Sequence, residues 1–343
     1  MKIGILGFGG SGKTAVFETL VSVADAEMKK MVRPEDRHKA HTGVVQIRDA
    51  RLTELAKVFQ PKKTTFAEIM FMDTPGFDMV HARDADGLAV VIGAFMGKNP
   101  AKELKDIDLE LTVSDLSIVQ NRLKRLEKEM QAARSETSKI EHDLLMRCEK
   151  TLGTDLPLRT LSLNEQELNL LHGFQFLTIK PALAILNIHE NELGKEPPQE
   201  FIRFTEERRI GMIEFCAAIE NEIQELEESE RPAFLESLGI DKPAKDKLIQ
   251  ASCAMMKSVF FFTVKGDEVR AWPVQETTTA IDAAGKIHTD IKRGFIRAEV
   301  VNYKDFAACG FSMQEARKRA LLRLEGKEYV VKDGDIVDFR FSV

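Results

Sequence analysis

The strongest constraint on this chain is a short segment in which an apolar run, Met1 to Leu6, leads into Gly7-Phe8-Gly9-Gly10-Ser11-Gly12-Lys13-Thr14. A short apolar run closed by glycines reads as a buried strand entering a tight turn, and Thr14 to Val23 carries helical spacing behind it. The turn fits GxxxxGK followed by Thr, the phosphate-loop pattern. Glycines there permit positive φ, so successive N–H groups point inward at phosphate oxygens. The following helix adds the positive end of its dipole. The pattern therefore predicts a nucleotide cradle made by Phe8, Gly9, Gly10, Ser11, Gly12, Lys13, Thr14 and Ala15. Lys13 is expected on the β- and γ-phosphates and the Thr14 hydroxyl on Mg²⁺.

A second strand is expected at Ala67 to Met72 and ends at Asp73-Thr74-Pro75-Gly76. That DxxG, paired with the phosphate loop, predicts Asp73 as a metal group acting through water and the Gly76 N–H as the sensor of the γ-phosphate. Alone it would be an ordinary turn. Where many switches of this kind place a glutamine to orient water, this chain has Phe77, which cannot hydrogen-bond to water. Slow unaided hydrolysis follows.

Further strands are expected at Gly87 to Phe95 and Ala182 to Asn187, with a weaker one at Gly211 to Ala217. Strands alternating with helical patterns predict an α/β fold with a mostly parallel sheet covered on both faces. Asn187-Ile188-His189-Glu190 follows the fourth strand, where a guanine-reading loop carries Asn-Lys-x-Asp. A Glu in place of the Asp is one methylene longer and displaces guanine, so the loop is expected to admit adenine.

Leu116, Val119, Leu123, Leu126, Met130, Ala133, Thr137, Ile140 and Leu144 recur at steps of three and four. This a/d seam predicts a coiled-coil arm projecting from the sheet. Periodicity leaves open whether the arm is one helix or a hairpin bent near Ala132 to Thr137. Leu248 to Met256 reads as another helix. Beyond it, Val259 to Val264, Glu268 to Pro273, Phe295 to Val301 and two runs within Tyr329 to Val343 read as strands, with a helix at Ser312 to Gly326. These make a small α+β domain. The expected organisation is a nucleotide-binding domain over 1–258, interrupted by a helical insertion over 102–175, and a second domain over 259–343.

Composition narrows the class. The 343 residues are 43% hydrophobic and 30% charged with a net charge of −6, enough for a sizeable core with solvated helices. No apolar run is long enough to span a membrane, and the opening MKIGILGFGG does not read as a signal peptide. Cys148, Cys216, Cys253 and Cys309 lack metal-ligand spacing and read as buried free thiols in a cytoplasmic protein. Residues 259–343 hold fourteen Lys plus Arg against thirteen Asp plus Glu, far from the basic excess of many nucleic-acid binders. The Phe260-Phe261-Phe262 triplet reads as core strand.

The C-terminal runs Glu268 to Trp272 (EVRAW), Ala283 to Asp290 (AAGKIHTD), Arg293 to Glu299 (RGFIRAE) and Glu325 to Asp335 (EGKEYVVKDGD) resemble the YchF/Obg-like ATPases. The likeness continues at Thr42 to Val45, Phe176 to Pro181 and Cys216-Ala217-Ala218. It implies a TGS (β-grasp) domain at the C-terminus, ATP hydrolysis with some GTP use, and association with the ribosome, with RNA contact through the TGS domain. It also implies that Asn187, Ile188, Glu190, Cys216 and Ala217 line the nucleotide site. The chain departs from the family at three places. Gly10 to Thr14 stands for Asn-Val-Gly-Lys-Ser, which bears on any potassium dependence. Arg37 stands where a switch I Thr offers itself to Mg²⁺. Only Asp78 to Asp86 remains of a long glycine-rich switch II. A GTPase using the same pocket, and a non-catalytic protein locked by nucleotide, are the alternatives to a slow ATPase switch. Oligomeric state is not legible.

Overall fold

The computed structural model describes residues 1–21, 41–95, 97–132 and 136–342. Arg37, Ala133 and the last two residues of the first expected helix lie outside them. In chain order the first elements are β1 (Lys2–Leu6), α1 (Lys13–Val21), β2 (His41–Ile47), α2 (Ala50–Phe59), β3 (Lys63–Thr65), β4 (Ala67–Asp73), α3 (Met79–Ala82) and β5 (Gly87–Ala94). There follow α4 (Pro100–Ala132), α5 (Glu136–Gly153), α6 (Glu165–His172), β6 (Ala182–Ile188), α7 (Gln199–Glu207), β7 (Ile210–Phe215), α8 (Ala217–Glu225), α9 (Arg231–Ser237) and α10 (Ala244–Met255). The chain closes with β8 (Ser258–Lys265), β9 (Glu268–Gln275), α11 (Ala280–Ile287), α12 (Thr289–Arg293), β10 (Phe295–Asn302), α13 (Tyr303–Ala308), α14 (Met313–Lys318), β11 (Arg323–Glu325) and β12 (Asp335–Phe341). Two compact units result, one of 2–43 and 70–255, the other of residue 1, 44–69 and 256–343.

The larger unit holds β1, β5, β6, β7 and the second half of β4, in a sheet of order β2-β4-β1-β5-β6-β7. The ladders β1–β4, β1–β5, β5–β6 and β6–β7 are all parallel. Every residue of β6 is buried, as is nearly all of β5, because helices cover both faces of the sheet. On one face Leu88, Val90 and Ile92 alternate toward Ala101, Leu104, Ile107 and Leu111 of α4, Phe201 and Phe204 of α7, and Ile219 and Ile223 of α8. The α/β class expected from the sequence is the one observed.

The helical seam is a hairpin. Val119, Leu123 and Leu126 of α4 meet Leu144, Leu145, Cys148 and Leu152 of α5, and the Arg122 guanidinium reaches Glu141 at 2.7 and 2.9 Å. Thr137 and Ile140, expected on the seam, are exposed. A chain that reverses does not carry one heptad frame through the turn, so α5 takes its own apolar stripe. Nor are all charged positions of α4 solvated. Asp108, almost fully buried, pairs with Arg208 at 2.7 Å and Arg159 at 3.5 Å. Burial pushes its carboxyl upward, against the pull of both guanidiniums.

The smaller unit is a mixed sheet of order β11-β10-β12-β8-β9-β3. One face, with Phe261, Val274, Ala298, Val300, Val337 and Phe339, packs on Ala280, Ala283 and Ala284 of α11. The other is covered by residues from far upstream: Arg51 of α2 lies over the Phe262 ring at 5.2 Å, and Leu52 and Leu55 are fully buried. Asp49 caps α2 by accepting the Arg51 N–H at 2.9 Å, and Arg51 also pairs with Asp333 at 2.6 Å. Lys63, Thr64 and Thr65 pair in parallel with Glu268, Val269 and Arg270. The helix expected at Ser312 to Gly326 is only α14. It ends where Ala320 adopts φ 55°, and the rest becomes strand β11. All four cysteines are free and buried, as expected. Burial pushes the Cys148 and Cys253 thiols up to about 11.

Candidate nucleotide-binding site

Parallel pairing sets the C-terminal ends of β4, β1, β5, β6 and β7 side by side along one edge of the sheet, where ligands of open α/β folds bind. The DxxG turn leaves β4, the phosphate loop leaves β1, and Asn187 to Glu190 leaves β6. Cys216 and Ala217 follow β7, whose Phe215 pairs with Asn187. Loops far apart in sequence thus meet on one rim.

Within the phosphate loop Gly10 and Gly12 have φ of 78° and 85°, which only glycine adopts without strain. A Cβ at Gly12 would lie 2.0 Å from Asn187 Nδ2. That amide donates to Ser11 O at 3.0 Å and is buried. Asn187 therefore braces the loop. The Ser11 hydroxyl is buried without a protein hydrogen-bond partner. Phe8 rests on Phe77, ring centroids 5.0 Å apart, and both pack on the main core. Gly9 has open space around its Cα, and Thr14, which opens α1 with Lys13, is exposed.

Lys13 is turned onto the DxxG. Its buried ammonium donates to Thr74 O and, at 2.9 Å, to Gly76 O, and stands 3.1 Å from Asp73 Oδ1. Gly76 has φ 63° and nothing near its missing side chain. Asp78 then caps α3 through the Val80 and His81 N–H groups. Arg83, just beyond α3, bonds Asp115 at 3.0 Å, Ser114 at 2.7 Å and Gln175 O at 3.0 Å. The DxxG is thereby joined to α4 by a continuous run of contacts.

Ile188 is buried, while Glu190 begins an exposed 3-10 turn, capped by His189 through the Asn191 N–H at 3.3 Å. Cys216 is buried at the start of α8, its thiol pushed up by burial. Ala217 is partly exposed beside it. A cavity of about 380 Å³ lies between Phe95, Gly97 and Lys98 on one side and His189, Asn191 and Glu192 on the other. Lys98 also donates to Gly10 O at 2.9 Å, which ties this cavity to the phosphate loop. Lys98 and Phe95 are the residues that the sequence reading missed. Their signal was position alone, directly after the strand that neighbours β1.

A family model described as "YchF-GTPase_C: Protein of unknown function (DUF933)" matches residues 259–342. The "Ribosome-binding ATPase YchF" of Bacillus subtilis (strain 168) is 33% identical, with 100% of both chains covered. The chain belongs to the YchF family. The Haemophilus ducreyi relative of the same name is also 33% identical, over 100% of this chain and 99% of that one. The Schizosaccharomyces pombe YchF GTPase structure superimposes with a TM-score of 0.83 at 23% identity, covering 99% of this chain and 97% of that one. The fold is thus the YchF fold. No helix of the described residues is long and apolar enough to cross a membrane.

Proposed function

We propose that this YchF-family chain is a slow, Mg-dependent ATPase switch with relaxed choice between ATP and GTP, acting with the ribosome in the cytoplasm. The observation that carries the reading is the buried Lys13 ammonium, held by the carbonyls of Thr74 and Gly76 at the mouth of a glycine-built cradle. An incoming polyphosphate competes for that ammonium as a multiply charged acceptor, against two neutral carbonyls and the single charge of Asp73. As Lys13 turns to the phosphates, the Thr74 and Gly76 carbonyls lose their donor, so occupancy of the site is felt by the DxxG backbone. From there Asp78, Arg83 and Asp115 connect it to the helical hairpin.

The Thr14 hydroxyl, exposed at the loop's end, and the Asp73 carboxylate, beside Lys13, are the oxygen donors suited to Mg²⁺. When bound, the ion neutralises charge on the phosphates. Phe77 packs on Phe8 and presents no polar atom to a water. Unaided turnover is expected at or below the ~10⁻³ s⁻¹ scale of switches without a supplied catalytic group. Single-turnover hydrolysis with and without ribosomes checks this, and a fast rate from the isolated protein refutes it.

The ribosome is proposed as partner from the names of the bacterial relatives. RNA contact through the C-terminal unit would draw on cations that already have carboxylate partners. Lys318 and Arg319 pair with Glu315 at 3.8 and 3.0 Å, and Lys292 pairs with Asp282 at 2.8 Å. Competition titration of ATP against GTP tests nucleotide choice. In Glu190→Asp the shorter carboxylate makes room for guanine, and the ATP-to-GTP affinity ratio is expected to fall about tenfold. An unchanged ratio removes Glu190 from base recognition.

A further inference from the structure

We propose that Lys98 is a second phosphate-directed cation, supplied in cis, that stabilises charge on the phosphoryl group during transfer. The inference rests on the phosphate-loop reading above and adds a group to it.

Lys98 lies in the loop after β5, the strand paired with β1, so it rises directly beside the phosphate loop. Its ammonium donates to Gly10 O at 2.9 Å and stands 5.6 Å from the centroid of the Phe95 ring. One constraint holds it there. The connection from Ala94 to Pro100 is short, and Pro100 opens α4 at the position where proline suits a helix best. A Cβ at Gly10 would meet Nζ at 3.6 Å, ordinary van der Waals contact, so the ammonium lies directly against the backbone of the loop. The side chain is exposed and lines the cavities on both sides of this point, one with His189 and Asn191, the other with Phe8 and Asp106. It is therefore free to move from a neutral carbonyl to a charged ligand, a favourable exchange.

The chemistry leaves work for such a group. In hydrolysis the water oxygen bonds to the γ-phosphorus while the bond from that phosphorus to the bridging oxygen breaks. The electron pair stays on the diphosphate and the proton of water ends on phosphate. Negative charge thus grows on the bridging oxygen, and cations aimed at it lower the barrier, as an arginine in cis does elsewhere. Phe77 contributes no hydrogen bond at the water. A lysine on the loop's rim offers charge where the attacking side offers none.

The test compares the full chain with Lys98→Ala. Single-turnover ATP hydrolysis is followed, and Mg-ADP binding is measured with and without aluminium fluoride, which mimics the phosphoryl group in transfer. The variant is expected to hydrolyse about 10²-fold more slowly. It should also bind the fluoride complex correspondingly less well, with Mg-ADP affinity within about threefold of the parent. Because the mimic needs no turnover, a very slow parent rate does not blunt the comparison. Equal hydrolysis and equal mimic binding overturn the proposal. So does an equal loss of affinity for Mg-ADP and for the mimic, which would make Lys98 a binding charge only. A parent protein that binds no Mg-nucleotide at all fails the phosphate-loop reading itself, and this inference with it.

Discussion

Lys13→Ala is expected to reduce nucleotide hydrolysis by about 10³-fold or more and to weaken Mg-triphosphate binding sharply. The ammonium is the charged centre of the cradle and also the donor to Thr74 O and Gly76 O and the partner of Asp73. Alanine removes both roles at once. The catalytic loss follows because no other lysine or arginine of the loop from Gly7 to Thr14 replaces it. The structural effect differs in kind: Asp73, 5% exposed, keeps its carboxylate beside a hole. Thermal unfolding separates the two, since a fold defect lowers the melting temperature without nucleotide, whereas a site defect removes the stabilisation that added nucleotide confers. Hydrolysis unchanged in this variant would place the chemistry elsewhere in the molecule.

The second large effect lies away from the nucleotide. Asp115 is fully buried and accepts the Leu177 and Thr178 N–H groups at 3.1 and 2.7 Å and the Thr178 hydroxyl at 2.8 Å, besides pairing with Arg83 at 3.0 Å. Asp115→Ala leaves three neutral donors without their acceptor in the interior and takes one of three partners from the part-buried Arg83 guanidinium, and is expected to cost about 3–5 kcal/mol. Asp115→Asn keeps the shape but only one of the two acceptor oxygens, and turns an NH2 toward two of the donors, so it should recover only part of that loss. Urea unfolding followed by far-UV circular dichroism measures the loss. Trp272 is the only tryptophan and belongs to the C-terminal unit, so its fluorescence reports that unit separately. A dichroism midpoint unmoved by Asp115→Ala would show that these bonds add nothing net to stability.

Local pattern carried most of what was legible. The glycines of the phosphate loop declare their backbone, and the strands β5 and β6 declare themselves as continuous apolar runs because both their faces are buried, while β4 alternates over its first half, with Glu68 and Met70 exposed. What stayed hidden depended on contacts across the chain. Asp108 and Asp115 carry no signal in the sequence, which does not show that Arg159, Arg208 and Arg83 come to meet them. The seam of α4 was readable up to the turn, but the stripe of α5 restarts with Leu144 and Leu145. Asn187 sits in the expected loop, yet its amide turns toward Ser11, a contact that no spacing rule contains. Lys98 was invisible for the same reason: its meaning lies in the carbonyl of Gly10, on a neighbouring strand's loop.

The sheet of the C-terminal unit borrows α2 and β3 from near the front of the chain, and this sets an order for its birth. A ribosome making this chain releases Leu52, Leu55 and the edge of Lys63 to Thr65 well before β8 and β9 exist, an interval of about 10 s or more at ordinary elongation rates. Through that wait a leucine-bearing helix and an open strand edge have no sheet to lie on. The nascent protein is therefore most exposed to misassociation midway through its own synthesis, and a product cut short before β8 keeps that exposure for good.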